Sequence, residues 1–84
     1  MAYLEVDTRQ GNLVVDIDKI SGVGEAVQGS DTTLTTVVLF LIGDQVDLHL
    51  HSPEQGKKLV EEVKKIIVAR KARNPIKAII VNKE

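Results

Sequence analysis

The chain contains no cysteine, so neither a disulfide framework nor a thiolate metal site can hold it together, and a cross-linked extracellular mini-scaffold is excluded. It has no tryptophan, and its only aromatic residues are Tyr3 and Phe40, too few for a stacking platform that would bind bases or sugars. No apolar run approaches the ~18 residues of a membrane span. The opening MAYLEVDTRQ also lacks the cationic lead and apolar core of a secretion signal. A soluble, cytoplasmic protein with no membrane partner is expected.

What is present is ordinary for a folded domain. Of 84 residues, 43% are hydrophobic and 27% charged, which argues against disorder. Residues 1–84 make one domain, and a chain this short buries only roughly 60–65% of its unfolded surface, so association would help it. The net charge of −1 hides a split. Residues 1–56 carry nine acids against Arg9 and Lys19, a net of −7, while residues 57–84 carry nine bases against three acids, a net of +6. Such asymmetry points to a directional electrostatic role, or to a basic helix lying on an acidic sheet.

Periodicity predicts an α+β domain: an antiparallel four-stranded meander over 3–51, one amphipathic helix over 53–72 and a short final strand over 76–82. AYLEVDT alternates as a strand, RQGN is a turn, and LVVDIDKI sets Leu13, Val15 and Ile17 against Val14, Asp16 and Asp18. SGVGEAVQGSD suits a bent strand end or a bulge leading to a loop. TTLTTVVLFLIG is β-branched and apolar, and Gly43-Asp44 signals a two-residue hairpin returning as QVDLHLH. Ser52, Pro53 and Gln55 form an S-x-x-Q helix start, followed by an apolar stripe of Leu59, Val60, Val63, Ile66 and Ile67. Asn74-Pro75 stops the helix.

A loop of Gly43-Asp44 would set Phe40 opposite Asp47, Val38 opposite His49 and Thr36 opposite His51, all on the face away from the helix. Asp47, His49 and His51 on alternate positions could offer three ligands to zinc, but no fourth ligand or second-shell partner can be named, so a metal site is not expected. Ser21, Ser30 and Ser52 fall at glycine-rich or capping positions, and no set of nucleophile, base and orienting group can be assembled. GVGEAVQG has the wrong spacing for a dinucleotide fingerprint and leads into a strand. No catalytic residue, no cofactor and no enzymatic activity are expected.

The helix-averted face carries Val14, Val38, Phe40 and Ile42 with acidic residues around them, the form of an interface. His49 and Ile79 extend it, since Ile79 and Val81 alternate with Ile76, Ala78 and Ile80 and such two-sided apolarity calls for cover on both faces. Self-association, most simply as a dimer, and an unidentified protein partner follow as expectations. The alternative is a nucleic-acid site on the basic helix at Lys57, Lys58, Lys64, Lys65, Arg70, Lys71 and Arg73, against which the scarcity of aromatics and the acidic other half weigh.

The order of a strand, a glycine turn, LVVDIDKISGVGE, a threonine-led strand, a glycine hairpin and a serine-capped SPEQ…LVEEVKKI helix resembles the FlbD-like group of small proteins found with flagellar genes. The resemblance covers residues 3–68 and is carried by Asp18, Ile20, Val23, Glu25, Gly43, Ser52 and the helix. It implies a non-enzymatic regulatory or adaptor module. The same layout would serve a small virus-encoded accessory protein.

Overall fold

The computed structural model describes residues 2–26, 35–73, 75–76 and 78–82. The glycine- and serine-rich link Gln28–Asp31, the start of the threonine-led run and the helix-stopping Asn74 lie outside the described residues. The architecture is α+β, with one helix and mostly antiparallel strands. The order is β1 (Tyr3–Thr8), β2 (Gly11–Asp16), a 3-10 turn (Ile17–Lys19), β3 (Ile20–Ala26), β4 (Thr35–Leu41), β5 (Asp44–Leu50), α1 (Pro53–Lys71) and β6 (Ile79–Val81).

The single meander expected from alternation is instead two three-stranded sheets, ordered β2–β1–β6 and β3–β4–β5. The break is local chemistry. LVVDIDKI alternates as one strand would, but the Asp16 side chain accepts a hydrogen bond from the Asp18 N–H at 3.0 Å and caps a 3-10 turn. Such short-range bonding offers aspartate's neighbours an alternative to the sheet ladder. The turn swings the chain into the second sheet, where Ile20 starts β3. Its corner is tied down twice: Lys19 C=O accepts from the Ile42 N–H at 2.8 Å, and the Arg70 guanidinium of α1 donates to the carbonyls of Ile17 and Ile20.

In β3 the register shifts between Ile20 and Gly22, the bulge that the glycine-rich stretch suggested. One extra residue on a strand turns all that precede it to the other face. Ile20 therefore packs inward together with Val23, three positions on, while Gly22 and Gly24 face outward.

The β4–β5 register corrects the expected hairpin. The loop residues are Ile42 and Gly43, with Leu41 opposite Asp44, Phe40 opposite Gln45, Val38 opposite Asp47 and Thr36 opposite His49. Gly43 takes the positive φ of +81° that the second loop position needs. The slip amounts to two residues in the pairing, so each side chain keeps its face. Val37, Leu39, Leu48 and Leu50 are buried as the alternation requires.

Helix α1 starts as its sequence dictates: Ser52 Oγ accepts from the Gln55 N–H at 3.1 Å and Pro53 occupies the first turn. It ends one residue earlier than expected, with Ala72 as C-cap and Arg73 in the left-handed region at φ 58°. Leu59, Val60, Val63 and Ile66 bury against Leu4, Val6, Val15, Ile17, Ile20 and the inner residues of β4 and β5. The final strand is three residues rather than seven, and it runs parallel to β1, pairing Leu4 with Ile79 and Val6 with Val81. β1 is thus the centre of its sheet, held by the two ends of the chain.

Candidate functional site

The two sheets meet at His49. Its backbone groups point away from β4, where the β1–β2 turn takes both: the Arg9 N–H donates to His49 C=O at 2.8 Å, and the His49 N–H donates to Gln10 Oε1 at 3.2 Å. Its ring completes the tie, with Nδ1 3.1 Å from Thr36 Oγ1. Thr36 is buried and finds its polar partner there. His49 thus joins β5 to β4 and to the first hairpin.

His51 lies beyond the end of β5. Its N–H donates to Gln55 Oε1 at 2.8 Å, and its Nε2, buried and without a hydrogen-bond partner, stands 3.5 Å from Asp7 Oδ1. That distance is an ion-pair separation for a protonated ring, and too long for a good hydrogen bond. Gln55, fully buried, donates from Nε2 to Asp7 C=O at 2.5 Å. The histidines of the H-x-H pattern therefore serve two separate clusters. His49 meets Thr36 and His51 meets Asp7, while Asp47 lies opposite Val38. No group of three His, Cys, Asp or Glu able to hold a metal occurs among the described residues. A cleft of about 220 Å³ opens where the first hairpin departs from β5, lined by Leu13, Val46 and Leu48 with Gln10 and Asp47. It is smaller than the ~300–1,000 Å³ of ordinary ligand sites.

Among the described residues, six large apolar side chains stand exposed, and they fall into three groups: Phe40 (40%) and Ile42 (68%) on the β4–β5 hairpin, Tyr3 (38%), Val14 (57%) and Ile80 (47%) on the β2–β1–β6 sheet, and Val68 (65%) on the helix. Phe40 has a bed. A Cβ built on Gly22 would stand 3.6 Å from its Cδ2, and one on Gly24 3.6 Å from its Cε2. The ring lies across the two outward glycines of β3, and glycines facing a cross-strand aromatic give it room to lie flat. Val38, half-buried, follows it along β4. Of the expected strip, Val38, Phe40 and Ile42 lie on the β4–β5 hairpin, whereas Val14 belongs to the other sheet, where it pairs with Glu5. Ile79 is turned toward the core and only half-buried, so Ile80, one residue on, is the exposed member of β6.

The basic residues also divide. Lys57, Lys58, Lys64, Lys65 and Lys71 are exposed along the solvent side of α1, with Lys65 Nζ 3.5 Å from Glu62 Oε1. Arg70 is spent on the carbonyls of the 3-10 turn, and Arg73 lies past the helix end. Lys64 and Lys65 flank Val68 and Ala69 in an open groove of about 370 Å³. Alternation along the sequence found the exposed strip, whereas the glycine bed beneath Phe40 was legible only as a two-residue glycine repeat whose partner strand was not known. No helix among the described residues is long and apolar enough to cross a membrane. No family model, no characterised protein and no solved structure matches the chain.

Proposed function

We propose that the chain is a non-enzymatic protein-binding module, working by self-association, most simply as a dimer, and by holding a protein partner. The contact is the outer face of the β3–β4–β5 sheet around Val38, Phe40 and Ile42. The observation that carries this reading is Phe40, laid flat over Gly22 and Gly24 and still 40% exposed. A ring held in one orientation on a rigid sheet loses little entropy when covered. Full burial of such a side chain is worth ~1.5–3 kcal/mol, so covering the remaining area stabilises by roughly 1 kcal/mol per copy, with Val38 and Ile42 adding to it. A two-fold contact counts each of these twice. The resemblance to small regulatory or adaptor proteins supports the same class of function.

Phe40→Asp tests this reading. It sets an uncompensated charge in the contact, and size-exclusion chromatography with light scattering at ordinary ionic strength is expected to show the wild-type dimer fall to a folded monomer. A wild-type chain that stays monomeric at high micromolar concentration removes self-association from the reading. A dimer that survives Phe40→Asp places the contact elsewhere.

A further inference from the structure

A second surface of the molecule has a counterpart on the molecule itself. The outer face of the β2–β1–β6 sheet is acidic and apolar in alternation. Glu5 on the central strand sits opposite Val14 on one side and Ile80 on the other, and Tyr3 pairs with Asp16 in the neighbouring row. Val14, Ile80 and Tyr3 are exposed, and no ion pair holds Glu5 among the described residues. The solvent side of α1 is the inverse, mainly basic with one exposed apolar residue: Lys64 and Lys65 flank Val68, and Lys57 and Lys71 extend the row toward either end. The lysines outnumber the carboxylates among them, exposed Glu61 and half-buried Glu62, the latter paired with Lys65. The two surfaces point away from each other, because α1 packs on the side of β1 that carries Leu4 and Val6, and successive strand residues alternate between faces. One chain cannot close this contact upon itself.

We infer that the basic side of α1 docks on the acidic face of the β2–β1–β6 sheet of a second copy of this chain. Charge and shape both support the pairing. Lysines around an exposed valine meet carboxylates around exposed valine and isoleucine, so apolar area is buried at the centre while opposite charges ring it, the arrangement of a core and rim. Three strands ~4.8 Å apart present a platform ~10 Å wide, the diameter of one helix with its side chains, and six residues of strand run ~20 Å, about as far as 13 helical residues. The contact joins different patches, so it is heterologous: each copy that docks its helix still offers its sheet, and association continues beyond two copies. The footprint is narrow and its charges lie at the surface, so the contact is weak and sensitive to salt. It does not rest on the Phe40 contact and is independent of it.

The experiment reverses one surface at a time. Lys64→Glu/Val68→Glu alters the helix side, and Val14→Lys/Ile80→Lys alters the sheet side, with Val14→Lys alone as the milder form if the double variant loses its circular-dichroism signature. All are examined in sedimentation velocity at high protein concentration. In the wild-type chain, species larger than a dimer are expected at about 0.01 M salt, where screening reaches ~30 Å, and are expected to vanish at about 1 M, where it reaches ~3 Å, while an apolar Phe40 dimer persists. Each surface variant alone loses the larger species. A mixture of an altered-helix chain with an altered-sheet chain recovers one heterologous contact, between the intact helix of one and the intact sheet of the other. With Phe40→Asp in both chains, this mixture forms 1:1 complexes that neither forms alone. Failure of the mixture to associate overturns the inference, as does assembly that is indifferent to salt. Loss of binding to double-stranded DNA on Lys64→Glu/Val68→Glu, with self-assembly unchanged, also overturns it and assigns the basic face to nucleic acid.

Discussion

Gln55 uses both polar ends of its side chain. Its amide N–H is the one that Ser52 caps, its Oε1 receives the His51 N–H, and its Nε2 reaches the carbonyl of Asp7, 48 positions earlier. It thereby pins the helix start to the end of β1 while wholly buried. Gln55→Leu keeps the volume and removes both side-chain bonds, leaving the His51 N–H and the Asp7 carbonyl without them. A fully buried orphaned group costs about 1–3 kcal/mol. Both of these bonds are part-buried, so a loss of about 2–4 kcal/mol, below the sum of about 2–6 for two fully buried groups, is expected as a lower midpoint in urea denaturation. From the sequence, Gln55 was visible as the fourth residue of a capping box. The bond to Asp7 was not, because helix-start chemistry acts over three or four residues and carries no information on which distant strand lies beneath. His49 shows the same limit: its alternation placed it on the right face, but its partners Thr36, Arg9 and Gln10 come from two other elements.

Elements were legible to the extent that their signals are local. Helix α1 has caps and a stripe written within it, and its bounds differ from expectation by one residue. The β4–β5 hairpin was placed with its faces right and its loop one residue late, because Gly-Asp and Ile-Gly both satisfy a two-residue turn with Gly43 at positive φ, and only the pairing of Leu41 with Asp44 separates them. Alternation decides which way a side chain points and is silent on which strand lies alongside, so one meander could not be told from two sheets. The glycines of β3 give this a measurable form. Cβ atoms at Gly22 and Gly24 would make ordinary contact with Phe40 at 3.6 Å, so Gly24→Ala is expected to be neutral or to stabilise by about 0.5 kcal/mol, since glycine weakens a strand. Gly24→Val adds methyl groups where the ring lies and lifts it. Thermal unfolding and light scattering together are expected to show alanine leaving both the midpoint and the mass unchanged or raised, and valine reducing the mass.

At the scale of the whole molecule, and among the described residues, Glu5 and Asp16 lie on the outer face of the β2–β1–β6 sheet while the lysines of α1 line the solvent side of the helix. The helix rests on the strands through apolar side chains, and its exposed lysines face away from them. The C-terminal strand is where the sequence was least informative. Three residues, Ile79–Val81, pair with β1 across more than seventy intervening positions, and no local pattern encodes a parallel partner so distant. Removing residues 79–84 is expected to destabilise the whole domain rather than fray one end, because Val81 is fully buried and β1 loses the ladder on one side. Hydrogen exchange would show it as lost protection of the β1 amides.

That parallel pairing also sets an order of events during synthesis. β1 leaves the ribosome before β6, and at ~5–20 residues per second the interval between them is about 4–15 s. Throughout it the β2–β1 hairpin can form while the far edge of β1, carrying Leu4 and Val6, has nothing to pair with. An open apolar edge is the part of a sheet most ready to accept a foreign strand. β1 therefore waits through that interval with one edge open, and it is the three-residue β6 that ends its availability to chaperones and to neighbouring nascent chains.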